Sequence, residues 1–338
     1  MIGKDYKYKL VTRCLTYNHA SYIEDAMRGF AMQETTFPVV TLIVDDASTD
    51  GEQEVICNYL SIHFQKPFRK EETEYAHIIC ATHKTNLNCS FVVLLLKYNH
   101  HSNKKSKLTY LSEWLDNAKY VAICEGDDYW INSMKLQKQV EYMENHQDCF
   151  LCANNALVLW EGSTQVPKFF SNDFDSHCVK LEKIIGSWPF PTAGLLHRSE
   201  IYKDYPEWTR KIYSGDMKLI LLCAEKCGYV YYFKDMWSVY RRDDISRSSV
   251  SQTVNSVKVY EHIIMLYEEF DKYSNLKYHK EIDNAIQELN KGKRFNTLSK
   301  RNKLLPFILM PIYQWKRLLE SLLYRIAKHY GFSKISYI

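Results

Sequence analysis

An α/β fold on a mostly parallel sheet, with helices on both faces, is the class that this 338-residue chain predicts. Three observations predict it. Short β-branched or apolar runs alternate with segments of helical periodicity through the first 130 residues. The strand runs are continuously apolar, as in strands buried on both faces. Asn18, Asp45, Asp46, Asp127 and Asp128 follow directly after three of these runs, where open α/β sheets bind ligands.

The elements follow in order. Leu10–Leu15 reads as a strand and Ser21–Met32 as a helix with Tyr22, Ile23, Ala26, Met27 and Phe30 on one face. Val39–Val44 is a second buried strand. Thr49-Asp50-Gly51 then opens a helix that aligns Val55, Ile56, Tyr59 and Leu60. Ala76–Ala81 is a third strand, Leu108–Leu115 a helix and Tyr120–Cys124 a fourth strand; Met134–Met143 is helical. Residues 161–180 are polar and aperiodic and read as a surface loop. Ile184–Leu196, with Trp188-Pro189-Phe190-Pro191, suits a pocket wall. Ser214-Gly215-Asp216 precedes a Leu-rich helix (Met217–Lys226), aromatic strands follow around Tyr229–Phe233 and Trp237–Tyr240, and the pattern beyond about residue 255 is helical.

Composition removes several function classes. Eleven glycines include no G-x-G-x-x-G and no G-x-x-x-x-G-K-[ST], so phosphate would be held by metal and side chains. Nothing points to nucleic acid as a partner. No run approaches eighteen apolar residues and Met1–Lys9 has no apolar leader, so a cytoplasmic location is expected. Cys149 and Cys152 are spaced as in zinc sites, but an extended apolar run points them to opposite faces. Cys223 and Cys227 fall on the Leu-rich helix; buried free thiols are the expectation for both pairs. From Lys291 onward eleven Lys/Arg face one acid, a charge of +10 against −6 for the rest of the chain.

Glu125-Gly126-Asp127-Asp128-Tyr129-Trp130 is the most informative stretch. Three carboxylates within four residues raise one another's pKa, and such a group usually faces a cation. Hard ions such as Mn²⁺ or Mg²⁺ take oxygen ligands, often one or two carboxylates plus phosphate oxygens.

Thr16-Tyr17-Asn18, then Val44-Asp45-Asp46-Ala47-Ser48-Thr49-Asp50-Gly51, then Glu125-Gly126-Asp127-Asp128, then Ser214-Gly215-Asp216 resemble, in this order and spacing, family 2 glycosyltransferases of the non-processive bacterial type. The likeness covers roughly residues 8–250. It implies a GT-A fold, with a catalytic domain over residues 1–255 (nucleotide-sugar half about 1–130, acceptor half about 131–255) and a basic helical extension over 256–338. Tyr17 would stack on the donor base and Asp46 would bond to it, with Asn18, Asp45 and Ser48 completing the donor site. Asp127 and Asp128 would take the metal and sugar-nucleotide positions, and Asp216 that of the catalytic base. The resemblance implies an inverting transfer of one sugar, from a UDP-sugar in preference, to a saccharide or lipid-linked acceptor in surface polysaccharide or lipopolysaccharide synthesis. Leu15 stands where the family commonly has proline, Ala47 where it has glycine, and Glu125 replaces the first Asp of the acidic motif.

Other readings of these residues stay open. Asp216 also suits a helix N-cap, and Asp45–Asp50 a turn and cap. Arg241 and Arg242 fit diphosphate contacts or solvated charges. A sugar nucleotidyltransferase would also use an acidic metal site, but residues 8–20 lack the glycine of its usual NTP loop, and the acidic triplet with Asp216 argues against a non-catalytic sugar-nucleotide-binding partner. Gln314-Trp315-Lys316-Arg317-Leu318 imitates the Q-x-x-R-W motif of processive enzymes but ends in Leu and has no membrane spans around it. Ile312–Tyr330 aligns Ile312, Trp315, Leu319, Leu322, Leu323 and Ile326, a basic amphipathic helix suited either to an anionic membrane surface at the inner face of the plasma membrane or to packing on the catalytic domain.

Overall fold

The structure, a computed structural model, describes residues 5–103, 105–161, 168–170, 174–242 and 257–301. The expected boundary at residue 255, the Ile312–Tyr330 helix and the Gln314–Leu318 segment lie outside them. The described residues form two compact units, 5–161 with 168–242, and 257–301.

The first unit opens with β1 (Tyr8–Thr16), α1 (Ile23–Ala31), β2 (Val39–Asp45) and α2 (Glu52–His63). Next come β3 (Arg69–Glu72), β4 (Ala76–Thr82), β5 (Cys89–Leu96), α3 (Ser112–Leu115), β6 (Ala118–Ile123), β7 (Tyr129–Trp130) and α4 (Lys135–Asn145). It closes with β8 (Leu151–Trp160), β9 (Lys168–Phe169), β10 (Cys178–Lys180), α5 (Leu181–Ile184), β11 (Leu196–Arg198), α6 (Gly215–Cys227) and β12 (Tyr229–Arg242). The strands join one sheet in the order β10-β12-β8-β11-β6-β1-β2-β5-β4-β3, with β7 on β12 and β9 on β8. At its centre β6, β1, β2 and β5 are parallel, so the loops after all four leave the sheet at one edge.

Alternation along these strands fills two cores. Leu10, Ile43, Phe91 and Val93 pack with α1, α2 and α4, through Met27, Phe30, Ile56, Leu60, Leu136 and Val140. Val11, Leu42, Val44, Val92, Leu94 and Val121 face the other way, onto Leu111, Trp114 and Leu115 around α3. The sheet is thus covered on both faces by helices, as expected from the sequence.

Four elements differ from expectation. The stretch 161–180, expected as a loop, contains the short strands β9 and β10, paired with β8 and β12, too brief to show a periodicity. β5 is a central parallel strand that the sequence reading passes over, because a short continuous apolar run does not separate strand from helix. Ala76–Ala81 is a strand but pairs antiparallel with β5, outside the parallel core. The two expected aromatic strands are one, β12, with register shifts between Phe233 and Ser238. All ten cysteines are free thiols.

The second unit is a helix pair, α7 (Val257–Tyr273) and α8 (His279–Arg301). Leu266, Tyr267 and Phe270 are buried with Tyr278, Ile282 and Ala285, and Glu261 pairs with Lys293 at 2.8 Å. Among the described residues no helix is long and apolar enough to cross a membrane.

Candidate active site

Thr16-Tyr17-Asn18-His19 leaves β1, Asp45-Asp46-Ala47-Ser48 leaves β2, and Glu125-Gly126-Asp127-Asp128 leaves β6. The parallel register brings the three loops to one edge, and a residue that sequence reasoning missed binds two of them together. Glu52, at the start of α2 and without solvent exposure, accepts hydrogen bonds from the Thr16 hydroxyl, the His19 N–H (2.9 Å) and the Ser48 hydroxyl (2.8 Å). Ser48 Oγ in turn accepts the Asn18 N–H at 2.8 Å, and Asn18 Oδ1 accepts the Thr49 N–H at 2.8 Å. The spacing Thr49-x-x-Glu52 carried a signal, but of a capping box. Instead the helix is capped by Gly51 at a φ of 91°, and the Glu52 carboxylate crosses to the β1 loop. Asn18 and Ala47 both take left-handed φ values, 57° and 58°, a region that side chains other than glycine enter at a cost.

The two acids after β2 are inside the protein. Asp46 Oδ1 accepts the His100 N–H (2.7 Å), and Oδ2 accepts the His101 N–H (3.1 Å) and Lys107 Nζ (2.7 Å). Burial raises its pKa, but Lys107 and the two N–H groups outweigh burial and leave it below the ordinary carboxylate value. Asp46 thus holds the loop after β5 against the loop after β2. The neighbouring Asp45 accepts the Ser48 N–H (3.2 Å) and the Gln53 side-chain amide through Oδ2, while Oδ1 is buried without a partner among the described residues. Burial lifts its pKa against these bonds. Tyr17 is the open member of the set, with 40% of its surface exposed.

In the acidic loop, Glu125 accepts the Leu15 N–H at 2.9 Å and pairs with Arg13 at 3.2 Å, so it ties β6 to β1. Asp128 is nearly buried and its Oδ1 accepts the Arg241 N–H at 2.9 Å. Burial, then the Asp127 charge, pushes the Asp128 carboxyl well above its ordinary range. A cation placed there would oppose both effects by favouring the charged carboxylate. Asp127 keeps 35% of its side chain exposed and accepts no hydrogen bond among the described residues; His19 Nε2 lies 3.9 Å from its Oδ2. Among the described residues no three His, Cys, Asp or Glu side chains enclose an ion-sized site. What the loop offers is a carboxylate pair with free oxygen lone pairs, which fits Mn²⁺ or Mg²⁺ completed by phosphate and water.

Arg241 is neither a solvated charge nor an open phosphate ligand. Its guanidinium is 5% exposed, pairs with Asp25 and Glu161 at 2.9 Å each, and lies over the Tyr22 ring at 4.5 Å and the Tyr129 ring at 4.9 Å. Arg242 lies over Trp160 and Tyr240, each at 5.3 Å.

Asp216 is in the first turn of α6, and the N-cap is Ser214, so the capping reading of Asp216 is displaced by two residues. Its Oδ1 accepts the Met217 N–H at 2.9 Å and its Oδ2 the Thr192 hydroxyl at 3.1 Å. Burial raises its pKa, with the two donors opposing. The carboxylate is half-buried, which suits a proton acceptor. Thr192 opens a tight turn, Thr192–Gly194, whose Ala193 carbonyl accepts the indole N–H of Trp130 at 2.8 Å. Trp130 is two residues beyond Asp128, so Asp216 and the acidic loop share one framework.

No family model matches this chain. The proteins named Uncharacterized protein Rv1520, from Mycobacterium tuberculosis, and Uncharacterized protein Mb1547, from Mycobacterium bovis, are each 32% identical over 155 residues. That match covers 46% of this chain and 37% of the length of each relative. Among solved structures, S. aureus TarS 1-349 in complex with UDP superposes with a TM-score of 0.54 at 16% identity, over 92% of this chain and 78% of that one. The mannosyltransferase PcManGT from Pyrobaculum calidifontis, in complex with GDP-Man and Mn²⁺, gives 0.52 at 13%, over 96% and 86%. This chain shares their fold.

Proposed function

We propose that this protein is an inverting, divalent-cation-dependent glycosyltransferase. It would move one sugar from a nucleotide-sugar donor to a hydroxyl of a saccharide or lipid-linked acceptor. The observation that carries this reading is the carboxylate pair Asp127–Asp128 on one framework with a half-buried, pKa-raised Asp216. The fold shared with a mannosyltransferase bound to GDP-Man and Mn²⁺, and with a structure bound to UDP, supports a nucleotide-sugar donor. Tyr17 offers an exposed ring for the base, and Asn18, Ser48 and Asp45 shape the loops around it, with Asp46 fixing the loop after β5.

A bound Mn²⁺ or Mg²⁺ would supply charge neutralisation for the leaving diphosphate. Asp127 and Asp128 would hold it. Asp216 takes the proton of the acceptor hydroxyl as that oxygen bonds to the anomeric carbon and the bond to the diphosphate breaks. The nucleoside diphosphate leaves on the opposite face.

The +10 charge of residues 291–338 supports an anionic membrane surface as a further partner, where lipid-linked acceptors reside. On this reading the enzyme would work in the cytoplasm, at the inner face of the plasma membrane, in the synthesis of a surface polysaccharide or lipopolysaccharide. The test is a panel of UDP- and GDP-sugars with Mn²⁺ or Mg²⁺, scoring nucleotide release with and without acceptor. Metal-dependent release is expected, lost in Asp128→Ala; Asp216→Asn should bind donor but not transfer. Full transfer by Asp216→Asn would overturn the base assignment, and the absence of any metal-dependent donor binding would overturn the class.

A further inference from the structure

Lys135, the first residue of α4, has no solvent exposure, and among the described residues no carboxylate pairs with it. A buried amine of this kind is costly unless its hydrogens are used. Burial pushes it down to about 7, with the thiols of Cys152 and Cys124 opposing. In either protonation state an Nζ–H donates to Gln139 Oε1 at 2.7 Å, and Nζ lies 4.3 Å from the centre of the Trp130 ring.

Both side chains next to Lys135 reach the same turn. Gln139 Nε2 donates to the Gly194 carbonyl at 2.9 Å, and Trp130 Nε1 to the Ala193 carbonyl at 2.8 Å. The turn has no slack on its other sides. A Cβ on Gly194 would meet the Asn154 carbonyl at 2.5 Å, and the Leu195 carbonyl accepts the Ile123 N–H of β6 at 3.1 Å. What the turn presents outward is the Thr192 hydroxyl, donating to Asp216 at 3.1 Å.

We infer that Lys135, Gln139 and Trp130 are positioning residues: they suspend the Thr192–Gly194 turn so that the Thr192 hydroxyl holds the Asp216 carboxylate in one place. The inference rests on Asp216 being the base proposed above. It gives the buried lysine a purpose that core packing does not, because a methionine would fill the same space without directing Gln139. Arg13, on β1, is the charged group whose field also favours ionised Asp216, and it is untouched by the variants below.

The experiment uses the full chain. The Asp216 carboxyl is titrated by ¹³C NMR in aspartate-labelled protein, its signal identified by its absence in Asp216→Asn. Alongside are measured kcat, donor KM and Tm. Removing a donor to the charged form raises a carboxyl pKa, so Thr192→Val should move the Asp216 midpoint upward. It should also lower kcat roughly ten- to a hundred-fold, the rate equivalent of one hydrogen bond to a charged group, at unchanged donor KM. Thr192→Ser, which keeps the hydroxyl, should recover both. Gln139→Leu and Lys135→Met should move the midpoint in the same direction. If Lys135→Met does not fold, Gln139→Leu decides. A folded Gln139→Leu or Lys135→Met protein with the Asp216 midpoint and kcat of the parent would overturn the inference. Full transfer by Asp216→Asn would remove the base reading alone, and the titration would still decide the brace.

Discussion

Replacing Gly126 by alanine tests the closest contact in the site. A Cβ there would stand 2.1 Å from Thr16 Oγ1, 2.6 Å from Thr16 Cβ and 3.2 Å from His19 Nδ1. Rotating the Thr16 side chain relieves the first contact but not the second, because Cβ is fixed by the backbone of β1. The ends of β1 and β6 must therefore part, or the Gly126 N–H must leave the Leu15 carbonyl that it meets at 3.2 Å. Moving Oγ1 also takes it off the buried Glu52 carboxylate. Overpacking costs about 1–3 kcal/mol, and a hydrogen bond lost from a buried charge about 1.5–3 kcal/mol. A unit of more than 200 residues loses about 2–4 °C per kcal/mol, so the Tm of Gly126→Ala should fall by on the order of 10 °C. Thermal unfolding followed by near-UV circular dichroism measures it. A Tm within about 2 °C of the parent would refute the argument. Thr16→Ala removes the 2.1 Å neighbour and the Glu52 bond together, so the double variant should cost less than the sum of the single ones. Additive costs would mean that the two residues do not press on each other.

Two further outcomes follow from charges that the structure places. Arg241→Met should lower stability by about 1–2 kcal/mol, since Asp25 and Glu161 are more than a third exposed and water can replace the guanidinium; donor affinity should stay within about threefold, because Asp128 is held by the Arg241 backbone, and a calorimetric loss much larger than one hydrogen bond is worth would instead make Arg241 a phosphate ligand. His279 donates to Asp271 at 2.7 Å, and that bond and charge raise its pKa. The stabilisation is full below the ordinary value of about 6.5 and is lost as pH rises through the raised one, so the α7–α8 pair should be more stable at slightly acid than at alkaline pH. A His279 NMR midpoint at or below the ordinary value would contradict this, and Asp271→Asn should abolish the shift.

Much of the central sheet was legible because burial on both faces imposes continuous apolar runs, as in Val39–Asp45 and Ala118–Ile123. Strand direction was not. Ala76–Thr82 and Val39–Asp45 are both mostly apolar, and only their neighbours make one antiparallel and the other parallel. The candidate ligands were legible for a local reason, since Asp45, Asp46, Asp127 and Asp128 follow strand ends within a few residues. The residues that hold them were not. Glu52 reaches Thr16 across 36 positions, Thr192 reaches Asp216 across 24, and the Arg241 N–H reaches Asp128 across 113. No periodicity in the chain announces such pairs.

This separation also sorts the acids by chemistry. A carboxylate that already accepts several protein donors has its charge and direction committed to the scaffold, and one that accepts few has lone pairs left for a ligand. Asp46 accepts from His100, His101 and Lys107, and Glu52 from Thr16, His19 and Ser48. Glu125 is taken by Leu15 and Arg13. Asp128 accepts from the Arg241 N–H alone, and Asp127 from no donor among the described residues. The acidic triplet therefore divides. Glu125 belongs to the frame, Asp128 is half anchored and half free, and Asp127 is open to whatever the site binds. Asp216 stands between these cases, with two donors and a raised pKa, which is the state that a group accepting a proton requires.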